Sequence, residues 1–303
     1  MHSFGEELIA PANGIELCYQ ELGDPDGEPL ILVMGLATQM IAWDQEFCSL
    51  LADRGFRVVR FDNRDVGRST VLDSAGVPSR IDMLTGRRAT APYLLRDMAR
   101  DTTGLMDHLE IESAHVAGAS MGGMIAQTLA IEFPERMRSA VSIMSTTGSR
   151  FVGLPSFKAF SALLAKPPRN RDEMIARTIR TFRVIGSPGY PFDEERVREI
   201  AGLSYDRGHS SAGVARQLHA ILASGDRTRS LRELSLPATV IHGSQDPLIR
   251  PSGGRATARA IPGARLRIID GMGHDLPRDV WPQVVEEIAA TAGRATRVEP
   301  QPA

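Results

Sequence analysis

The chain has 303 residues, with 35 lysines and arginines against 37 aspartates and glutamates, for a formal net charge of −2. That near balance excludes the strongly basic field that draws a protein to nucleic acid or to an anionic membrane surface. An apolar fraction of 42% is enough for one large core, or one core with a smaller appended lobe.

No apolar run approaches the ~20 residues that span a bilayer. Met1 to Ala12 lacks the basic start, apolar run and small-residue cleavage site of a secretory leader, so a cytoplasmic location is expected. Cys18 and Cys48 are too few for a disulfide framework and sit in no C-x-x-C pair, and both are expected as buried free thiols.

In chain order, Ile15 to Leu22 alternates apolar and polar residues and predicts an exposed antiparallel strand. Leu30 to Met34 is an unbroken apolar run and predicts a central strand. A helical stretch through Phe47, Leu50 and Leu51 precedes a strand at Arg57 to Phe61. Tyr93 to Leu109 reads as an amphipathic helix, with Leu94, Met98, Thr102, Leu105 and Met106 on one side. Further strands are predicted at Ala114 to Gly118, Ala140 to Met144, Ala238 to His242 and Arg265 to Ile269, with a closing helix over Val280 to Ala292. Strands alternating with helices imply a mostly parallel sheet covered on both faces.

The alternation breaks between Ser145 and Leu236. Helical patterns there cover Phe157 to Leu164, Asp172 to Ile185, Asp193 to Leu203 and Ala212 to Ala223, separated by Pro167-Pro168 and by Ser187-Pro-Gly-Tyr-Pro191. The expected division is therefore an α/β core of residues 1–145 and 237–293, a helical lid of residues 146–236, and a loose tail of residues 294–303.

Gly118-Ala-Ser-Met-Gly122 lies where a predicted strand meets a predicted helix, Met121 to Phe133, that Pro134 ends. A serine whose hydroxyl must project from the top of a sheet sits on a sharp, strained strand-to-helix turn, where glycines two residues away avoid backbone clashes. Ser120 is the candidate nucleophile.

Such a serine needs a base, and the base needs an acid that holds its tautomer. His274, in Gly271-Met-Gly-His274, follows the last strand and so falls on the sheet edge where ligand sites collect. His242 reads as a packed strand-end residue, His115 begins a strand, and His108, His209 and His219 read as solvated. Asp246 follows the strand ending at His242 and is the candidate acid. Asp270 and Asp275, though nearer in sequence to His274, read as a strand-end turn and as a helix-entry or surface carboxylate. The chain order Ser120, Asp246, His274 matches the sheet-based hydrolases.

With Val33-Met-Gly-Leu36, Phe61-Asp-Asn-Arg-Asp-Val-Gly-Arg-Ser69 and Pro247-Leu-Ile249 added, the chain resembles the α/β-hydrolase family from Leu30 to about Ala292. Within that family it is similar to lidded bacterial serine esterases that include aclacinomycin methylesterase, especially at Asp62 to Ser69 and Gly271 to Pro277. The resemblance implies an oxyanion hole from the backbone N–H groups of Met121 and Leu36, although Met34-Gly35 stands where many relatives have His-Gly. It implies ester hydrolysis through an acyl-enzyme, on a small, apolar ester substrate.

Cofactor-free perhydrolases and carbon–carbon bond hydrolases share this fold and triad, and a hydrolase-fold receptor with little turnover is a third reading. The Asp and Arg residues of the Asp62 to Ser69 loop are expected to bond to each other and to backbone, fixing the loop shape, with a grip on a substrate carboxylate or sugar as the alternative. Trp43 and Met40 are candidates for the apolar pocket, with core packing the alternative. No metal or organic cofactor is expected, since no H-E-x-x-H or Cys/His cluster is present and the elbow lacks a phosphate-loop lysine. Monomer and homodimer both remain open.

Overall fold

A parallel strand can be apolar along its whole length only if both faces of its sheet are covered. The computed structural model describes residues 2–163 and 166–295. Its strands are β1 (Leu8–Ala12), β2 (Ile15–Leu22), β3 (Glu28–Val33), β4 (Phe56–Phe61), β5 (Ala114–Ala119), β6 (Met137–Ile143), β7 (Ala238–Gly243) and β8 (Arg265–Ile269). They form one sheet in the order β1-β2-β4-β3-β5-β6-β7-β8. β1 and β2 run antiparallel to their neighbours, and every pair from β4 to β8 in that order is parallel. The helices are α1 (Gln45–Ala52), α2 (Arg80–Thr85), α3 (Leu95–His108), α4 (Met121–Glu132), α5 (Phe157–Leu163), α6 (Arg171–Ile185), α7 (Glu194–Arg207), α8 (Ser211–Ser224), α9 (Thr228–Leu231), α10 (Pro251–Ala260) and α11 (Trp281–Ala295).

The period of two along β3 divides the core. Leu30 and Leu32 enter a cluster with Trp43, Phe47 and Leu51 around α1 and Val284 and Ile288 of α11. Ile31 and Val33 enter the opposite cluster with Met98 and Leu105 of α3 and Ile125 and Leu129 of α4. All four β3 side chains are fully buried, each contributing about 1.5–3 kcal/mol relative to exposure.

Several boundaries differ from the sequence reading. β2 is not exposed: Leu17, Cys18, Tyr19 and Gln20 are all buried, because Leu17 and Tyr19 pack under α3 on one face, Cys18 packs with Met40 and Ile41 on the other, and β1 pairs along its outer edge. β1 itself was missed, although Asn13-Gly14, with φ of 50° and 78°, is a strong two-residue hairpin signal. Pro11 fits this outermost strand, where one edge has no ladder partner. Short α2 and α9, and α10, were also missed. The helix read to Leu164 is described to Leu163, and Leu164 lies outside the described residues. The last helix includes Arg294 and Ala295 of the expected tail, with Arg294 donating to the Ala238 carbonyl at 2.6 Å; the rest of that expectation, residues 296–303, lies outside the described residues.

β6 and β7 are adjacent and parallel, and the chain between them carries α5 to α9. Two buried arginines tie that insertion to the loop after β4. Arg207 of α7 pairs with Asp62 at 2.9 Å and Glu7 at 2.8 Å. Arg216 of α8 pairs with Asp65 at 2.6 Å, both fully buried. No helix among the described residues is long and apolar enough to cross a membrane.

Candidate active site

Ser120 occupies the single residue between β5 and α4, with φ 55° and ψ −115°, a conformation that costs a non-glycine residue of the order of 1–3 kcal/mol. Close backbone packing explains the flanking glycines. A Cβ at Gly118 would stand 2.1 Å from the Gly122 carbonyl oxygen, and one at Gly122 would stand 2.0 Å from that of Val33. Only glycine lets α4 start this close to β3 and β5.

Because β5, β6, β7 and β8 are consecutive in the sheet and parallel, the loops leaving β5, β7 and β8 emerge at one edge. Those loops carry Ser120, Asp246 and His274. Ser120 Oγ lies 3.0 Å from His274 Nε2, and His274 Nδ1 lies 2.7 Å from Asp246 Oδ2. Asp246 Oδ1 accepts the Leu248 and Ile249 N–H groups at 2.8 and 2.9 Å. Ser120 is half-buried, while His274 and Asp246 are buried. Burial alone would raise the Asp246 carboxyl, but its interactions with His274 and His242 outweigh it and hold the group at about 2. A charged carboxylate behind Nδ1 keeps that nitrogen protonated and leaves Nε2 free to accept from the serine.

Gly35 lies close to Ser120, with room for a Cβ only 3.1 Å from the serine Cβ. Among the described residues, neither the Leu36 nor the Met121 N–H donates to a protein acceptor. The family described as "alpha/beta hydrolase fold" matches residues 28–277 of this chain.

The chain belongs to the α/β-hydrolase fold family. Rhodomycin D methylesterase of Streptomyces peucetius is 30% identical over 303 residues, covering 93% of this chain and 96% of the relative. A 3-oxoadipate enol-lactonase of Acinetobacter baylyi is 28% identical over 259 residues, covering 86% of each. The solved enol-lactonase of Burkholderia xenovorans superposes with a TM-score of 0.71 at 25% identity, covering 94% of this chain and 100% of that one.

Within this α/β-hydrolase, Met40 and Trp43 are 0% and 1% exposed. Trp43 stacks on Phe47 at 5.6 Å, and Met40 packs with Cys18 and Ile41. Both side chains are packed in the core in this structure, the alternative that the sequence left open. His219 is also buried, not solvated, on a helix against which α2 and α3 pack. Asp275 accepts from Ser187 Oγ, while the base is paired with Asp246.

Sequence reading missed the residues that brace the site from a distance. Asn63 Nδ2 donates to the Met34 carbonyl at 3.0 Å. Gln217 Oε1 accepts the Ala37 N–H at 2.9 Å. The His274 N–H donates to the Ile185 carbonyl at 2.7 Å, and the Gly273 N–H to Ser187 Oγ at 2.8 Å. Nothing local marks Gln217 or Ile185, since their partners lie 180 and 89 positions away in the chain. His242 had a visible signal, its position four residues before Asp246, but was read as packing alone.

Proposed function

We propose that this protein is a serine esterase of the carboxylesterase or methylesterase type, with Ser120 as nucleophile, His274 as base and Asp246 as the acid that orients it. The observation carrying the reading is the continuous chain of polar contacts, Ser120 Oγ to His274 Nε2 at 3.0 Å and His274 Nδ1 to Asp246 at 2.7 Å, on a strained elbow. The relatives that act on an ester or an enol-lactone support the same bond type.

His274 removes the Ser120 proton as Oγ attacks the ester carbonyl, and the N–H groups of Met121 and Leu36 receive the developing alkoxide. Collapse of the tetrahedral intermediate expels the alcohol, which takes the proton from His274 and leaves the acyl-enzyme. Water, deprotonated by His274, then attacks the acyl carbonyl and releases the acid. Asp246 stays ionised and stabilises the imidazolium formed in each half-reaction. No step requires a metal or an organic cofactor. Residues 146–236 serve as a helical lid over the α/β core, and the substrate is a small, apolar ester.

The test is hydrolysis of a p-nitrophenyl ester series, from acetate to long acyl chains, by the parent protein and by Ser120→Ala. Turnover lost in a folded Ser120→Ala variant is expected. A variant that keeps most of the parent rate would remove Ser120 from the mechanism, and absence of turnover in both would count against an esterase.

A further inference from the structure

The insertion reaches the surroundings of the nucleophile through a fully buried side-chain amide. Gln217, on α8, is 0% exposed. Its Oε1 accepts the Ala37 N–H at 2.9 Å and its Nε2 donates to the Arg64 carbonyl at 2.7 Å. Ala37 directly follows Leu36 and is held at φ 60°, in the left-handed region that a non-glycine side chain disfavours.

Two successive peptide planes set the direction of the Leu36 N–H. The first contains the Gly35 carbonyl and the Leu36 N–H, and its carbonyl accepts the Thr38 N–H at 3.2 Å. The second contains the Leu36 carbonyl and the Ala37 N–H. Its carbonyl accepts from Thr38 Oγ1 at 3.0 Å, and its N–H ends on Gln217. Every bond except the last is local to the turn. Gln217 is therefore the restraint that the insertion places on a turn carrying backbone strain, beside Asn63, which holds the Met34 carbonyl one peptide plane earlier.

The restraint itself is rigid. Arg216, the adjacent residue, makes a two-pronged contact with Asp65 at 2.8 and 2.6 Å, fixing α8 against the loop after β4. The Arg64 carbonyl, on that same loop, takes the other end of the Gln217 amide. Both polar ends of Gln217 are thus held by backbone, and a buried amide paired at both ends is fixed in its orientation.

We propose that Gln217 is a positioning residue for the oxyanion hole: through the Ala37 amide it aims the Leu36 N–H at the site of the developing alkoxide. The insertion thereby forms part of the acyl-transfer machinery in addition to covering it. This inference rests on the serine esterase reading above.

The experiment compares the parent with Gln217→Met, which removes acceptor and donor at similar volume, and with Gln217→Glu, which keeps the acceptor. Ser224→Ala serves as a comparator that disturbs the far end of the same helix, where Ser224 Oγ accepts the Leu95 N–H at 2.9 Å. Steady-state constants with p-nitrophenyl esters are read beside inhibition by a trifluoromethyl ketone, whose adduct with Ser120 places an oxyanion in the hole, and beside thermal melting. For Gln217→Met, kcat is expected to fall about 10- to 100-fold with KM within about three-fold of the parent. The ketone should weaken by the same factor as kcat/KM, because both report one lost geometry. Ser224→Ala should melt earlier yet keep its kcat within about three-fold.

A Gln217→Met enzyme with parental kcat, or one whose kcat falls with ketone affinity unchanged, would overturn the proposal. So would a Ser224→Ala enzyme that loses kcat as severely. Should Gln217→Met fail to fold, Gln217→Glu decides: retained ketone affinity supports positioning through the Ala37 N–H, and a loss beyond about ten-fold contradicts it. A parent without Ser120-dependent turnover would overturn the esterase reading and this inference with it. Ser120-dependent turnover beside an unaffected Gln217→Met would overturn only the role of Gln217.

Discussion

His242 holds its Nε2 3.4 Å from Oδ2 of Asp246, the same oxygen that His274 Nδ1 approaches at 2.7 Å. The shorter contact of His242 is to the Ile249 carbonyl, at 2.7 Å. One ring thus braces both the carboxylate and the far end of the turn whose amides donate to that carboxylate.

His242→Leu should leave the Ile249 carbonyl without its buried donor and lower stability by about 1–3 kcal/mol. Its kcat at neutral pH should fall less than about ten-fold, since Asp246 stays ionised and still meets His274. Asp246→Asn should show the reverse balance, a kcat loss of about 10⁴-fold, because the tautomer of His274 is no longer held. Urea melts and ester turnover on the two variants distinguish these patterns.

The crowding at the elbow predicts the result of a single added methyl group. Gly122→Ala would place a Cβ 2.0 Å from a backbone carbonyl that has no flexible end to move. A stability loss at or above the usual 1–3 kcal/mol range for overpacking, about 3 kcal/mol, is expected, with a matching loss of turnover. Gly5→Ala, whose Cβ meets nothing within 4 Å, should melt with the parent. Thermal midpoints of both variants make the comparison.

Burial alone would raise the Asp65 carboxyl, but hydrogen bonds from Arg216, Tyr93 and the Leu72 amide outweigh it and hold the group below the ordinary carboxylate range. A lowered folded value means that Asp65 adds stability above the unfolded pKa of ~3.9 and loses it as pH falls through the lowered value. Arg216→Met strands that carboxylate and should cost about 3–5 kcal/mol at neutral pH. The difference from the parent should shrink as pH falls, first above ~3.9 as the stranded, burial-raised carboxyl of the variant protonates, and then below ~3.9 as the parent loses its benefit. Melting at pH 7 and at about pH 3 tests the sign; a gap that widens in acid would exclude it.

Cys18 and Cys48 are both buried, and burial pushes each thiol up to about 12. Native protein at pH 8 should therefore react with iodoacetamide or a disulfide reagent only as fast as it opens, with no early loss of ester turnover. A rapid burst of thiol modification accompanied by inactivation would contradict this arrangement.

The central elements were legible because their signals are local. Leu30 to Met34 has the continuous apolar run of a strand covered on both faces, and Gly118 to Gly122 has the spacing that a crowded turn demands. The exposure of β2 was misjudged because alternation reports two faces, while β1 pairing and the burial of both faces are settled elsewhere in the chain. Trp43 illustrates the same limit: an aromatic residue beside a functional loop can face substrate or core, and its stacking on Phe47 is a tertiary fact.

Residue order alone pointed to Ser120, Asp246 and His274, because each lies just after a strand and parallel strands deliver their carboxyl ends to one edge. Distances of 3.0 and 2.7 Å between them, the two histidines around Asp246, and the grip of Gln217 on Ala37 came only with the fold. The physical reason is range. Turn sterics and hydrophobic period act over a few neighbouring residues and leave a pattern in the chain, whereas a hydrogen bond between residues 180 positions apart leaves none until burial brings its two ends together.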